Sequence, residues 1–231
     1  MTPCSYSELF DALATCGLTK VLRAYFNDSS CINSTRVLLE VFQTFGLAAR
    51  PFAVRAMIFS KAFVDRAERE GRVPQEDGEL HVWCAEPGVY SVGVGFPTPD
   101  MPAGRWPGHL VVRAGLHYLF DATIGQANRP ARGIQMPDIL FLDDVTLAFW
   151  RGEDVAISQA PDGSVIRYEP DPGNTGYLDS PAWSLRPGIE EAAYHEILAL
   201  LQANGLPKVP KKPAKRSAQG ERHFLLEVER W

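Results

Sequence analysis

Three residues of this chain have types that together can make a nucleophilic centre: Cys31, His109 and Asp121. A cysteine nucleophile needs a base to take its proton, and the base needs a third group to fix its tautomer and orientation. Cys31 follows the polar run Asn27-Asp28-Ser29-Ser30 and opens the most helix-like stretch of the chain. A thiol at a helix start is activated, because unpaired N–H groups and the helix dipole favour the thiolate.

The elements that must position these groups are legible as patterns. Residues 5–26 carry apolar side chains at helical spacing, and Gly17 divides them into two pieces. In the helix after Cys31, Val37, Leu38, Val41, Phe42 and Phe45 form one apolar stripe. Ser29 or Ser30 is its expected cap and Gly46 its stop. A strand is expected over 50–58, an exposed helix over 60–71 and a loop over 71–79. Further strands are expected at 80–85, 89–95, 108–113 and 117–122, with a Pro-rich irregular loop at 96–108 delivering the chain to His109. Beyond Thr123 the chain is rich in Pro, Gly and Asp, with strand signals at 139–149 and 154–168 and a helix over 189–204. This order reads as an α+β fold, with helices and a thiol helix packed on an antiparallel sheet.

His109 and Asp121 fall on two strands joined around Ala114-Gly115, so the parity of the loop decides whether they share a face. A two-residue loop at Ala114-Gly115 pairs His109 with Phe120 and sends Asp121 to the other face. A three-residue loop over Ala114–Leu116 pairs His109 with Asp121. One over Arg113–Gly115 pairs His109 with Leu119 and makes Asp121 its diagonal neighbour. A catalytic reading therefore demands an odd loop.

Other candidates carry less. His117 shares the His109 face in the odd registers and is a substitute base there. His81 and Cys84 on the expected strand point to opposite faces and read as structural. Trp106, three residues before His109, is a candidate cleft wall, and Gln126 and Asn128 are candidate lining residues. Gly93-Val94-Gly95 lacks the strand-to-helix context of a nucleotide fingerprint, and Asp143-Asp144 reads as a turn. No metal site is expected.

Composition bounds the rest. The chain has 231 residues, of which 45% are hydrophobic and 22% charged, which is globular and sufficient for one domain. A net charge of −5 gives no footprint for nucleic acid, and the short basic run Lys208 to Arg216 reads as a solvated linker. No stretch has the length and apolarity of a membrane span. The N-terminus shows no basic region followed by an apolar one, so no secretory leader is expected. Four widely separated cysteines argue against a disulfide framework, and a reducing, cytoplasmic setting is expected.

The constellation resembles the transglutaminase-like branch of the papain-like cysteine enzymes. Cys31-Ile32-Asn33 through Phe45-Gly46-Leu47-Ala48-Ala49-Arg50-Pro51 is similar to the Cys helix, its glycine stop and the next strand. Gly108-His109-Leu110-Val111-Val112 and Tyr118-Leu119-Phe120-Asp121-Ala122-Thr123 are similar to the His and Asp strands. The resemblance covers about residues 25–130 and departs in an insertion at about 60–105 and in Ser30, where many members carry Gly or another small residue. It implies a catalytic core over 1–135, an extension of the same domain over 136–206, and a Pro/Lys-rich linker and tail over 207–231. It also implies a thioester on Cys31, with His109 as base, Asp121 as its orienter and the backbone N–H of Cys31 at the oxyanion. The expected substrate is a peptide, protein or small-molecule amide or thioester, Trp106 and Gln126 are the expected substrate contacts, and no resident cofactor is expected. One alternative is an acyltransferase of the arylamine N-acetyltransferase kind, using coenzyme A or a carrier protein, with Arg129 and Arg132 near the phosphates. Another is a non-catalytic binding module on the same fold.

Overall fold

The structure is a computed structural model, and it describes residues 4–27, 30–99, 101, 105–183 and 188–207. The basic run from Lys208, the apolar tail and Ser29 lie outside the described residues. Two short helices, α1 (Tyr6–Thr15) and α2 (Leu18–Tyr25), lead into α3 (Cys31–Thr44). A capping box between Ser5 and Glu8 fixes the start of α1, supplying partners for N–H groups that the first turn leaves free. The long strand β1 (Ala49–Phe59) follows, then α4 (Lys61–Glu70), α5 (Asp77–Trp83) and β2 (Ser91–Val94). After an irregular loop come β3 (His109–Ala114), β4 (Tyr118–Asp121) and β5 (Leu140–Leu142). The short helix α6 (Leu147–Trp150), β6 (Ala156–Gln159), β7 (Val165–Pro170) and α7 (Ile189–Ala203) complete the order.

All seven strands form one antiparallel, nearly barrel-shaped sheet in the order β5-β4-β3-β1-β7-β6, with β2 also pairing β1. The fold class is α+β, as the pattern of elements implies. β1 is its organiser. One edge pairs with β3 over Ala49–Val54 and with β2 over Ala56–Phe59, while the other pairs with β7 over Val54–Phe59. Pro51 is tolerated because that half of β1 has a strand neighbour on one side only.

The two faces of the sheet bury two cores. On one face α1, α2, α3 and α7 cover Val112, Ala114, Phe120 and Ala122. On the other, Phe52, Val54, Ile58, Val111, Leu119, Ile166 and Tyr168 pack with Phe149 and Trp150 of α6.

Two expected strands are otherwise in the structure. Residues 77–83, overlapping the expected strand 80–85, form α5, because Trp83 is buried against Phe63 and beneath the Arg66 guanidinium, which lies 4.4 Å from its ring. His81 and Cys84 therefore belong to a helix and its cap. The stretch 139–149 is divided at Asp143-Asp144. Three residues pair as β5, and Thr146 then caps α6 by accepting from the Phe149 N–H at 3.1 Å.

Phe10 joins the helical layer to the sheet, with its ring 4.1 Å from that of Phe141 and 5.3 Å from that of Phe120. Phe10→Ala is expected to cost about 3–5 kcal/mol in urea unfolding. A loss below about 1 kcal/mol would show that this layer does not hold the sheet.

Candidate active site

The hairpin that carries His109 and Asp121 has an odd loop. Ala114 pairs with Tyr118, leaving Gly115, Leu116 and His117 between the strands. This register is neither of the two odd ones weighed above, but it has the same parity. It sets Asp121 diagonally across from His109, on one face. Gly115 has φ 57 and its N–H donates to the Ala48 carbonyl at 2.9 Å, so the turn is tied to the entry of β1. His117 sits in this loop, exposed, and is not a substitute base.

His109 and Asp121 are both 0% exposed. Nε2 of His109 meets Oδ2 of Asp121 at 2.6 Å. The Tyr168 hydroxyl donates to the same oxygen at 2.9 Å, and the Thr123 N–H donates to Oδ1 at 2.9 Å. The carboxylate is thus held by donors from three segments of the chain inside the sheet's inner core, as a buried charge must be. Burial alone would disfavour the charged imidazole. The Asp121 charge and hydrogen bond, followed by those of Cys31, outweigh it and raise the His109 pKa to about 10. Burial and the neighbouring carboxylate push the Tyr168 phenol well up, so it stays a donor.

Cys31 comes from the other side of the sheet, at the first residue of α3, and is 8% exposed. The Thr35 hydroxyl fastens this helix to the Leu110 carbonyl at 3.1 Å, one residue beyond His109. Cys31 lies near enough to the imidazole to help raise its pKa. With Nε2 committed to Asp121, Nδ1 is the nitrogen left to serve the thiol. The Gln126 amide shares it at 3.2 Å, donating from Nε2 to a neutral ring. A charged ring requires the same amide reversed, with its oxygen accepting. Ser30 does not cap α3; its hydroxyl turns back to Asn27 at 2.5 Å. Nothing from Ser30 covers the first-turn amides beside the thiol.

Trp106 is part of the wall around Cys31, with Ala53, Leu110, Tyr177, Ile32 and Trp183. Its indole N–H donates to Asn174 at 2.5 Å, and its ring meets Tyr177 edge-on at 5.5 Å. It lies so close over Gly108 that a Cβ there would fall 2.2 Å from the ring. Gly95, at φ 83, lies against the backbone of His109, where a Cβ would be 2.7 Å from the amide nitrogen.

Several of these residues gave no signal in the sequence. Tyr168 is one aromatic in a strand, and Gly95 had meaning there only as part of a discarded motif. Tyr177 and Trp183 lie in a stretch that reads as irregular. Yet Asn33 donates to the Ala182 carbonyl at 3.1 Å and Arg36 to the Trp183 carbonyl at 2.5 Å, strapping this stretch over the start of α3. Conversely, Asn128 is occupied by the Met136 N–H, and Arg129 by the carbonyls of Gln126 and Asn128. Arg132 lies over Tyr90.

Among the described residues, no group of three or more His, Cys, Asp or Glu side chains is placed to hold a metal ion, and no helix is long and apolar enough to cross a membrane. Comparison of the chain with protein-family models, curated proteins and solved structures found no match.

The raised His109 pKa sets a sign for stability against pH. Its contribution is fully present below the ordinary value of 6.5 and is lost as pH rises through about 10. Asp121→Asn should therefore cost about 3 kcal/mol at pH 6 and distinctly less at pH 9. Urea unfolding of both proteins at the two pH values measures this; a penalty that grows with pH would contradict it.

Proposed function

We propose that the chain is a cysteine-dependent acyl enzyme of the transglutaminase-like kind, with Cys31 as nucleophile, His109 as base and Asp121 as orienter. The observation that carries this reading is the buried His109–Asp121 hydrogen bond at 2.6 Å, with the Cys31 thiol near enough to the ring to help raise its pKa. A ring held charged by a buried carboxylate is the proton donor for the leaving group, and once that proton is given up it is the base that activates the attacking water or amine.

In the proposed reaction Sγ of Cys31 attacks a substrate carbonyl carbon. The S–C bond forms, the bond to the leaving amine or thiol breaks, and the thiol proton passes through His109 to the leaving group. Water or an amine then attacks the thioester, the C–S bond breaks, and the proton returns to the sulfur. The Cys31 N–H is the oxyanion donor in this scheme. Gln126 holds the ring nitrogen between steps, and Trp106 bounds the acyl group. The substrate is an amide or thioester of a peptide, protein or small molecule.

A second reading, a non-catalytic module on the same fold, is favoured by the burial of Cys31 under Tyr177 and Trp183. The two readings separate on thiol reactivity. Burial raises the pKa of Cys4 and Cys16, which disfavours their reaction, so iodoacetamide at pH 7 has Cys31 and the half-buried Cys84 to react with, and the adduct should form faster on Cys31. The expected rate exceeds that of an ordinary exposed thiol and drops roughly tenfold in His109→Ala. Mass-spectrometric mapping of the adduct reads it, and a Cys31 that reacts no faster than a free thiol would leave the binding module.

A further inference from the structure

We propose that Arg55 is an anion subsite beside the Cys31 thiol, so that the acyl substrate carries a carboxylate or phosphate group close to its reacting carbonyl. This rests on the acyl-enzyme reading above and adds a substrate class to it.

In the β1–β3 ladder Val54 pairs with His109, the last pair, and Arg55 is the next residue of β1. Arg55 is thus at the junction where β3 ends and β2 begins along β1, one residue from the partner of the proposed base. Side chains alternate along a strand, so Arg55 shares the face of Ala53, which belongs to the same buried cluster as Cys31. Trp106, lying over Gly108, belongs to the same surroundings.

The second observation is that this arginine is not satisfied. Its Nε is buried without a hydrogen-bond partner, although an arginine brings five donors and a permanent charge. Its guanidinium lies over the Phe96 ring at 5.7 Å, and Phe96 in turn folds over Gly93. The acidic residue opposite Arg55 in the β1–β7 ladder is Glu169, but its carboxylate pairs with Arg167 at 3.4 Å. Among the described residues no carboxylate hydrogen-bonds this guanidinium, so a half-buried fork with an orphaned Nε, in a chain of net charge −5, is open to a bound anion. A planar fork beside a thiol suits a carboxylate or a phosphate oxygen pair, and not a neutral amide.

Two reagents that differ in charge test this on the full chain without a known substrate. Iodoacetate and iodoacetamide both alkylate a thiol, with the S–C bond forming and iodide leaving, and only the first is an anion. The readout is the ratio of their second-order rates at Cys31, mapped by mass spectrometry. Arg55→Gln should lower the iodoacetate-to-iodoacetamide ratio about three- to tenfold, since a half-buried charge is screened by solvent only in part. Arg55→Met, which keeps the apolar stem on Phe96, should do the same and serves where the first variant does not fold. Arg55→Lys should keep the ratio within about twofold, because the charge remains. An unchanged ratio in both neutral variants, with fast alkylation by iodoacetamide, overturns the subsite and leaves the thiol reading standing. Slow alkylation by both reagents in the unsubstituted chain overturns the thiol reading, and the subsite with it.

Discussion

The buried contact between His109 and Asp121 is the constraint around which the site is arranged. A carboxylate inside an apolar core is costly unless every oxygen is met, and here His109, Tyr168 and the Thr123 N–H meet it from three segments of the chain. Those contacts require β4 to turn back beside β3 with the right parity and β7 to lie across β1. The sheet could not slip by one residue without exchanging this network for unpaired polar groups in the core. The pair is both a demand on the fold and the source of the raised imidazole pKa.

Cys31 reaches that pair from outside. The helix that carries it packs on one face of the sheet, whereas His109 and Asp121 share their face with Val111 and Leu119 of the inner core. The two meet at the end of β3, where His109 is the first residue of its strand and Cys31 the first of its helix. Gly95 and Gly108 leave room there for close backbone and indole contacts that any side chain would block. The strap from Asn174 to Trp183 then closes over the thiol, tied to Trp106 at one end and to Asn33 and Arg36 at the other.

Much of this was legible in the residues, and what was not has physical reasons. The helical stripes of α1, α2 and α3 and the glycines that end them were readable because amphipathic spacing is a local signal. The hairpin parity could be stated as a condition but not decided, since Gly115 suits more than one odd register. The stretch around residue 80 was read as a strand because Leu80, Val82 and Trp83 are apolar. Its helical state is set by where Trp83 finds cover, on Phe63 and Arg66, which no local pattern carries. Tyr168 and Arg55 are placed by the long-range pairing of β7 with β1, and Tyr177 and Trp183 by contacts of their stretch with Trp106, Asn33 and Arg36, so composition and spacing could not find them.

The central claim is that a buried carboxylate holds His109 as a charged, oriented imidazole next to Cys31. The most direct measurement is a pH titration of the His109 ring nitrogens by NMR in the full chain. The account predicts an imidazolium throughout the neutral range, with its proton lost only near pH 10, and a shift of that titration to lower pH in Asp121→Asn. A ring that titrates at or below the ordinary value of 6.5 in the unsubstituted protein would contradict it.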